Sequence, residues 1–531
     1  MTRPRIFFEN DSRHTLIYMY EPPIQAEEQM SAVDEIVGTP VEALVFNLGY
    51  GNAFLHATDV ADRWGPEAAA TEPFRPDGGS RWNHMVFQRA YRNAAKLIAA
   101  GHDPLRLICD RAHEKGLLVY PSLQLPIALH RDQDQALTIG AAGAAPEEAS
   151  GQADYGQREV RDQRLAIVAE AVANYPLDGF ELNFSFYGRS HFFHPDQVGN
   201  GRGIMTDWLA AVRDVVKGDN PDRELGVRIG TSIDGALAAG LDPVAWMRQG
   251  LVDLVTAENF ALMSQIDVTA DFRPLVEAAS GSGCRVIAGL RNQVDSDRLS
   301  HAPVEMVRAA ATNYWEQGVD GISLIHWYGN WPYDGAFYEQ LRELPHPEIM
   351  APKDKFYFVP TPGGRMADEA PIDRGLSWQL PVELPVTEPV SLRFPISDDL
   401  DRWHRVGRVH EVVLRLRLNA ASDRDRYAFK LNGSQLPGAL TRTISHVYML
   451  NAPRYRSHPS YWFIFKLGPE LWPRQGENVV EVTLLERDEE AAPPVAVRDV
   501  ELEIRYLRGK SYFRGALYTD PDLGPYQQPL Q

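Results

Sequence analysis

From about residue 14 to 345 the chain alternates short apolar runs with longer amphipathic stretches. The apolar runs are HTLIYMY (14–20), ALVFNL (43–48), LLVYPSL (117–123), GFELNF (179–184), LGVRI (225–229), LVTAE (254–258), CRVIAGL (284–290) and GISLIH (321–326). Runs this short, rich in β-branched and aromatic residues, predict strands. Between them RNAAKLIAA, VRDQRLAIVAEAVANY, IMTDWLAAVRDVVK and PVEMVRAAATNYWEQG carry apolar residues at helical spacing. Glycine closes two of these helical stretches, at EKG before the third strand and EQG before the eighth. Eight strand–helix units predict the α/β class and a (β/α)8 TIM barrel over residues 1–345. A doubly wound sheet, the rival, calls for a glycine-rich phosphate turn after its first strand. Here that strand runs into YEPPIQ, with no GxGxxG or Walker A pattern.

Beyond residue 345 the pattern changes. The proline-rich run HPEIMAPKDKFYFVPTPGG predicts a linker over 346–371. From 372 to 531 short alternating segments follow: VSLRFPI, EVVLRLRLN, RYAFKLNG, YWFIFKL, NVVEVTLLE and VELEIRYL. They predict an all-β, jelly-roll-like sandwich as an accessory domain. Within the barrel the longest insertions follow strands two, three and four. That is the strand-to-helix side, where such barrels hold their active sites and where long loops serve binding.

Composition narrows the function classes. The 531 residues are 44% hydrophobic and 24% charged, as in a packed globular protein. The net charge of −19 and the lack of any run of five Lys/Arg leave no basic stripe, which excludes a nucleic-acid partner. No apolar stretch reaches the ~18 residues that a membrane span needs. The opening MTRPRIFFENDSRHT lacks an apolar leader core, so a cytoplasmic location is expected. Cys109 and Cys284 are too few for a disulfide framework or a metal site built of four cysteines, and both lie beside apolar runs as packing residues.

Catalytic groups of such barrels stand at the C-terminal ends of the strands. In Asp178-Gly179-Phe180-Glu181-Leu182-Asn183-Phe184-Ser185 the period of two puts Glu181, Asn183 and Ser185 on one face, opposite the apolar residues. The apolar face suits the helix layer, so the polar face points into the barrel, where a Glu and an Asn are costly unless used or paired. Glu258 ends strand six, Arg228 lies on strand five, and Asp234 follows that strand. Two carboxylates on different strands of one barrel are what glycosidic cleavage requires, one as proton donor and one as nucleophile or base. Glu181 and Glu258 are the candidate pair, with Asp234 in reserve. The alternative for each is a structural carboxylate, Glu181 pairing with Arg228. Amide, basic and aromatic residues crowd the same rim: Tyr20, Asn47, Tyr120, Gln124, Asn183, Tyr187, His191, His194, Arg228, Arg291, Asn292, His326, Trp327 and Trp331. Aromatic faces stack on sugar C–H faces while amides, His and Arg bond hydroxyls, so these predict a carbohydrate pocket. The competing origin of each aromatic is the core. His191-x-x-His194 is the nearest metal-like spacing, but no His-x-His or H-E-x-x-H accompanies it, and no metal or other cofactor is expected. No G-x-S-x-G elbow supports a serine nucleophile.

Strand four, Asp178 to Phe184, resembles the D-G-[IF]-[DE]-L-[DN]-[FW] strand of glycoside-hydrolase-like barrels. It is similar to the family-18 chitinase strand, with Ser185 where that strand ends in its catalytic Glu. ALVFNLGYG, LRLICDRAHEKGLLVYPSL, GLDPVAWMRQGLVDLV and EQGVDGISLIHW resemble bacterial family-10-like glycosyl-hydrolase barrels over about residues 14–345. Barrels of the α-galactosidase clan also place catalytic carboxylates after strands four and six, the positions of Glu181 and Glu258, although those enzymes use Asp there. A strand-four and strand-seven pair does not fit, because strand seven ends Arg291-Asn292-Gln293. FKLNGSQLPG and GENVVEVTLLE resemble sandwich domains appended to glycosidases. The resemblance implies a glycoside hydrolase acting on an oligo- or polysaccharide-derived substrate. A non-catalytic sugar-binding barrel and a metal-dependent hydrolase or isomerase are the alternatives. A homo-oligomer formed through the sandwich stays open.

Overall fold

A computed structural model describes residues 3–50, 53–61, 63, 79–126, 138–139, 152–185, 192–259, 265–294, 301–361, 379–444 and 460–509. Eight parallel strands close a barrel: β1 Ile6–Asn10, β2 Ala43–Asn47, β3 Leu118–Gln124, β4 Gly179–Asn183, β5 Glu224–Gly230, β6 Leu254–Glu258, β7 Arg285–Leu290 and β8 Gly321–Leu324. Each strand pairs with its neighbours in chain order, and β1 closes the ring between β8 and β2, with Phe8 opposite both Leu324 and Leu44.

Seven strands fall where the apolar runs predict them; the first does not. HTLIYMY forms a π-helical turn, His14–Met19, and the barrel strand is the preceding IFFEN. The cause is local. Asn10 Oδ1 accepts from the Ser12 amide at 2.9 Å, and Asp11 Oδ1 accepts from the amides of Arg13 and His14. These side-chain bonds turn the chain out of the strand at Ser12, whose φ is 61°. Leu16 and Ile17 then bury against Ala90, Ala94, Leu97 and Leu107, in a cluster separate from the main core.

Alternation along the strands sorts the interior. Phe180 and Leu182 of β4, like Val227 and Ile229 of β5, join the apolar layer between barrel and helices. Phe7, Ala43, Val45, Tyr120, Leu254 and Ile287 form a separate cluster that fills the barrel floor. Tyr120 fits there because β4 begins with a glycine: a Cβ on Gly179 would lie 2.2 Å from its ring. Two residues further along the strands, the inward positions become polar.

The C-terminal third forms two antiparallel sheets, a β-sandwich. Its strands are β9 Lys355–Phe358, β10 Val382–Glu383, β11 Pro389–Ile396, β12 Val409–Asn419, β13 Arg426–Leu431, β14 Ser434–Gln435, β15 Leu440–Ile444, β16 Ser460–Lys466, β17 Gly476–Glu486 and β18 Ala496–Tyr506. One sheet orders β9-β18-β12-β16-β15, with β10 also on β18; the other orders β11-β17-β13-β14. The expected linker thus contributes a strand, because Lys355–Phe358 pairs antiparallel with β18. The sandwich braces the helix Val304–Glu316, which lies between β7 and β8. Asn313 Nδ2 donates to the Pro395 carbonyl at 3.1 Å, and Ser397 Oγ donates to Thr312 Oγ1 at 2.7 Å. One continuous apolar cluster runs through both parts.

If Ile6–Asn10 closes the barrel, Phe8→Ala should cost about 3–5 kcal/mol. The measurement is the midpoint of urea unfolding at constant slope; a loss below about 1 kcal/mol would contradict this placement of the first strand.

Candidate active site

The polar layer lies above the floor, at the C-terminal end of the barrel. Arg228 leaves β5 and crosses to β1, the opposite strand of the ring. Its Nη1 donates to Glu9 Oε1 at 2.7 Å and its Nη2 to Glu181 Oε1 at 2.8 Å. Ser122 Oγ, from β3, donates to the same Glu181 oxygen at 2.7 Å. All four side chains are buried. Glu181 Oε2 has no hydrogen-bond partner among the described residues. Glu9 Oε2 accepts from the His326 backbone amide at 2.9 Å and lies 3.7 Å from His326 Nε2. His326, two residues past β8, is in the left-handed region, φ 62°, a conformation costly for a residue with a Cβ and concentrated at functional sites.

A second ion pair stands on the neighbouring strands. Arg291, just past β7, donates through Nε to Glu258 Oε2 at 2.6 Å. β7 carries Gly289 beside Glu258, where an added Cβ would come within 2.8 Å of the Glu258 Cβ. Glu258 Oε1 is buried and unpartnered among the described residues. The same holds for Arg228 Nε, Asn47 Oδ1, Gln124 Oε1 and Ser323 Oγ. These buried atoms are left with hydrogen-bonding capacity that water or a polar ligand can fill.

The carboxyls of β1 and β4 share one guanidinium and are driven apart by it. Burial pushes Glu9 up, but Arg228, helped by His326 and Arg291, outweighs this and holds it down at about 2. For Glu181 burial wins: it raises the carboxyl above the ordinary carboxylate range, and the negative charge of Glu9 adds to the rise, against Arg228 and Ser122. Burial, with Arg291, lowers the His326 imidazole to about 4 against the pull of Glu9. At neutral pH Glu9 is thus an anion beside the Arg228 cation, and Glu181 is the more basic of the two carboxyls on that guanidinium.

Of the residues expected at the site, Glu181, Asn183, Arg228, Glu258, Arg291, His326, Asn47 and Gln124 share this end of the barrel. Asn183 Oδ1 accepts from the backbone amide and the hydroxyl of Ser185, both at 2.9 Å, which holds the strand end. Asn292 is buried beside Arg291. Several others are elsewhere. Asp234 is exposed in the first turn of the short helix Ile233–Ala238. Tyr120 is in the floor, where its hydroxyl donates to Glu224 at 2.9 Å. Trp327 is fully buried, and its indole N–H donates to the Leu290 carbonyl at 2.9 Å, so it is a core residue. Trp331 donates to Glu35 Oε1 at 2.8 Å, and Tyr20 packs on the cluster around Leu16 and Ile17. His194 is exposed and lies 3.8 Å from Asp154. Among the described residues no group of three His, Cys, Asp or Glu is placed to hold a metal. Tyr187 and His191 lie outside the described residues. Cys109 and Cys284 are buried thiols, each pushed up to about 12 chiefly by burial, which makes them unreactive packing residues.

Sequence reasoning missed Glu9 and Ser122. Glu9 had a signal: the apolar run Ile6-Phe7-Phe8 ends in Glu9-Asn10, as strand six ends in Glu258-Asn259.

No protein-family profile matches the chain. It is similar to the glycosyl hydrolase DigH of Escherichia coli K12, 25% identical over 231 residues, covering 35% of this chain and 53% of the relative. DigH of Shigella flexneri matches at the same identity and coverage. The chain thus spans about half the length of the curated relatives it matches. Among solved structures it is similar to α-L-fucosidase isoenzyme 2 from Paenibacillus thiaminolyticus (12% identity, TM-score 0.43, 66% of this chain and 50% of that one). It is also similar to the glycoside hydrolase domain of PgaB from Bordetella bronchiseptica (13% identity, TM-score 0.41, 64% and 98%).

The charge pattern predicts acid lability. Glu9 sits at about 2 when folded against an ordinary 4.5, so its stabilisation is complete above about pH 4.5 and lost as pH falls toward 2. That gap corresponds to roughly 3 kcal/mol. His326, at about 4 against 6.5, is protonated first in the unfolded chain, so stability also falls between pH 6.5 and 4. Urea unfolding should lose stability as pH falls from 4.5 to 3, below the window where the raised Glu181 opposes His326, and Glu9→Gln should flatten that loss. An equal decline in the variant would contradict the assignment.

Proposed function

We propose that the protein is a glycoside hydrolase that cleaves a glycosidic bond in an oligo- or polysaccharide-derived substrate with two carboxyls, Glu181 and Glu258. The observation that carries this reading is the contrast between them. Glu181 is buried, competes with Glu9 for one guanidinium, and keeps Oε2 unpartnered among the described residues. A carboxyl so placed keeps its proton to higher pH than an ordinary one and can donate it to the leaving oxygen. Glu258 has one oxygen on Arg291 and the other unpartnered among the described residues, so Oε1 is free to meet the substrate. It serves as nucleophile toward the anomeric carbon or as base toward the attacking water. The leaving oxygen takes the Glu181 proton as the C–O bond breaks, and water supplies the hydroxyl to the anomeric carbon and restores the proton.

A sugar fits the unpartnered atoms. A hydroxyl donates and accepts at once, so a polyhydroxylated ring meets both the Arg228 N–H and the oxygens of Asn47, Gln124 and Glu258. The likeness to DigH, named a glycosyl hydrolase, supports the same class, and the strand motifs support the narrower likeness to family-10-like barrels.

The second reading is a sugar-binding barrel without turnover. It is favoured by the ion pairs Arg228–Glu181 and Arg291–Glu258, which engage both carboxyls.

The test is hydrolysis of a glycan panel by wild type, Glu181→Gln and Glu258→Gln, with thermal midpoints alongside. Each variant should lose about 10²–10⁴-fold in turnover and keep its fold. Full activity in both variants contradicts the proposal. Saturable glycan binding by wild type with no product favours the second reading.

A further inference from the structure

Glu9 is a buried carboxylate that neither step above uses, on a strand opposite the one that carries its partner. Its two oxygens have different tasks. Oε1 takes one arm of Arg228, and Oε2 takes the backbone amide of His326. The geometry points to Glu9 as a positioning residue: by occupying one arm of Arg228 it denies Glu181 that full positive charge, and so leaves Glu181 as the carboxyl that carries the proton. This inference rests on the proposed role of Glu181 as acid.

Charge balance is the argument. Arg228 carries one positive charge and touches two carboxyls, at 2.7 and 2.8 Å. Two anions beside one cation leave a net buried negative charge, which is costly; one anion and one neutral acid leave none. Which carboxyl keeps the proton follows from the other contacts. Glu9 accepts a backbone N–H through its second oxygen and is faced by Arg228 from β5, His326 from β8 and Arg291 past β7. Glu181 is faced by Ser122 from β3, Arg228 from β5 and the anion Glu9 from β1. Glu258, from β6, adds a second negative charge near Arg228. Hydrogen bonding and positive charge thus favour the ionised form at Glu9, and Glu181 holds the proton. The same contact fixes the end of β8: the Glu9 carboxylate holds the left-handed turn at His326, whose side chain is 24% exposed at the barrel mouth.

The experiment follows the carboxyl carbons of the full chain with 13C-labelled glutamate by NMR. Signals 9 and 181 are assigned by their loss in Glu9→Gln and Glu181→Gln. In wild type, Glu9 should stay ionised from pH 8 to 4 while Glu181 titrates above the ordinary carboxylate range. In Glu9→Gln the Glu181 midpoint should fall by at least about one pH unit, because Arg228 then serves it alone. The alkaline limb of the pH–rate profile on any hydrolysed glycan should move the same way. A Glu181 midpoint unchanged in Glu9→Gln overturns the inference. If that variant does not fold, the wild-type signal 181, assigned from Glu181→Gln, decides: its titration in the ordinary carboxylate range overturns the inference. A shifted midpoint with no glycan hydrolysed by wild type removes the glycosidase reading and leaves the charge sharing established.

Discussion

The guanidinium of Arg228 spans the barrel from β5 to β1, and the arrangement of the mouth depends on that crossing. A buried cation this deep is tolerated when it is paired, and its pairing ties together strands distant in sequence: residue 9 lies 219 positions from residue 228. The barrel supplies the geometry at little expense, because closure brings β1 opposite β5 whatever the chain does between them. Below the crossing the interior is apolar, with Phe7, Tyr120, Leu254 and Ile287 packed as a floor. Above it the interior is polar, and several atoms have no partner among the described residues. The boundary between those layers is the boundary between stability and chemistry in this fold.

The sharing of one guanidinium by two carboxyls sets their proton affinities apart. Where a single carboxylate sits on a single Arg, both ionise and the pair is structural. Here Arg228 holds the Glu9 carboxyl low, while burial raises Glu181 on the same guanidinium. The expected Glu181–Arg228 pair is present, and Glu9 shares the same guanidinium.

Much of this was legible in the sequence. The barrel class and seven of its strands follow from apolar periodicity, and the inward face Glu181-Asn183-Ser185 follows from the period of two. What was not legible has local physical causes. HTLIYMY is more apolar than IFFEN, yet the Asn10 and Asp11 side chains turn the chain out of the strand before it, and periodicity over seven residues does not separate a buried turn from a strand. That one misplacement hid Glu9. Tyr120 lies on the expected strand and face, but two residues, or about 7 Å, below Ser122, which puts it in the floor instead of the mouth. Trp327 follows a left-handed residue, His326, and its ring is buried in the core. Alternation along a strand carries no information past such a turn.

The account stands or falls on where a sugar binds. The most direct measurement is a crystal structure of the Glu181→Gln variant with a bound oligosaccharide. The account predicts the scissile oxygen within about 2.6–3.2 Å of the residue-181 side chain, with the anomeric carbon facing Glu258. A well-ordered sugar seated on the β-sandwich, or at the barrel mouth with neither residue near a glycosidic bond, would contradict it.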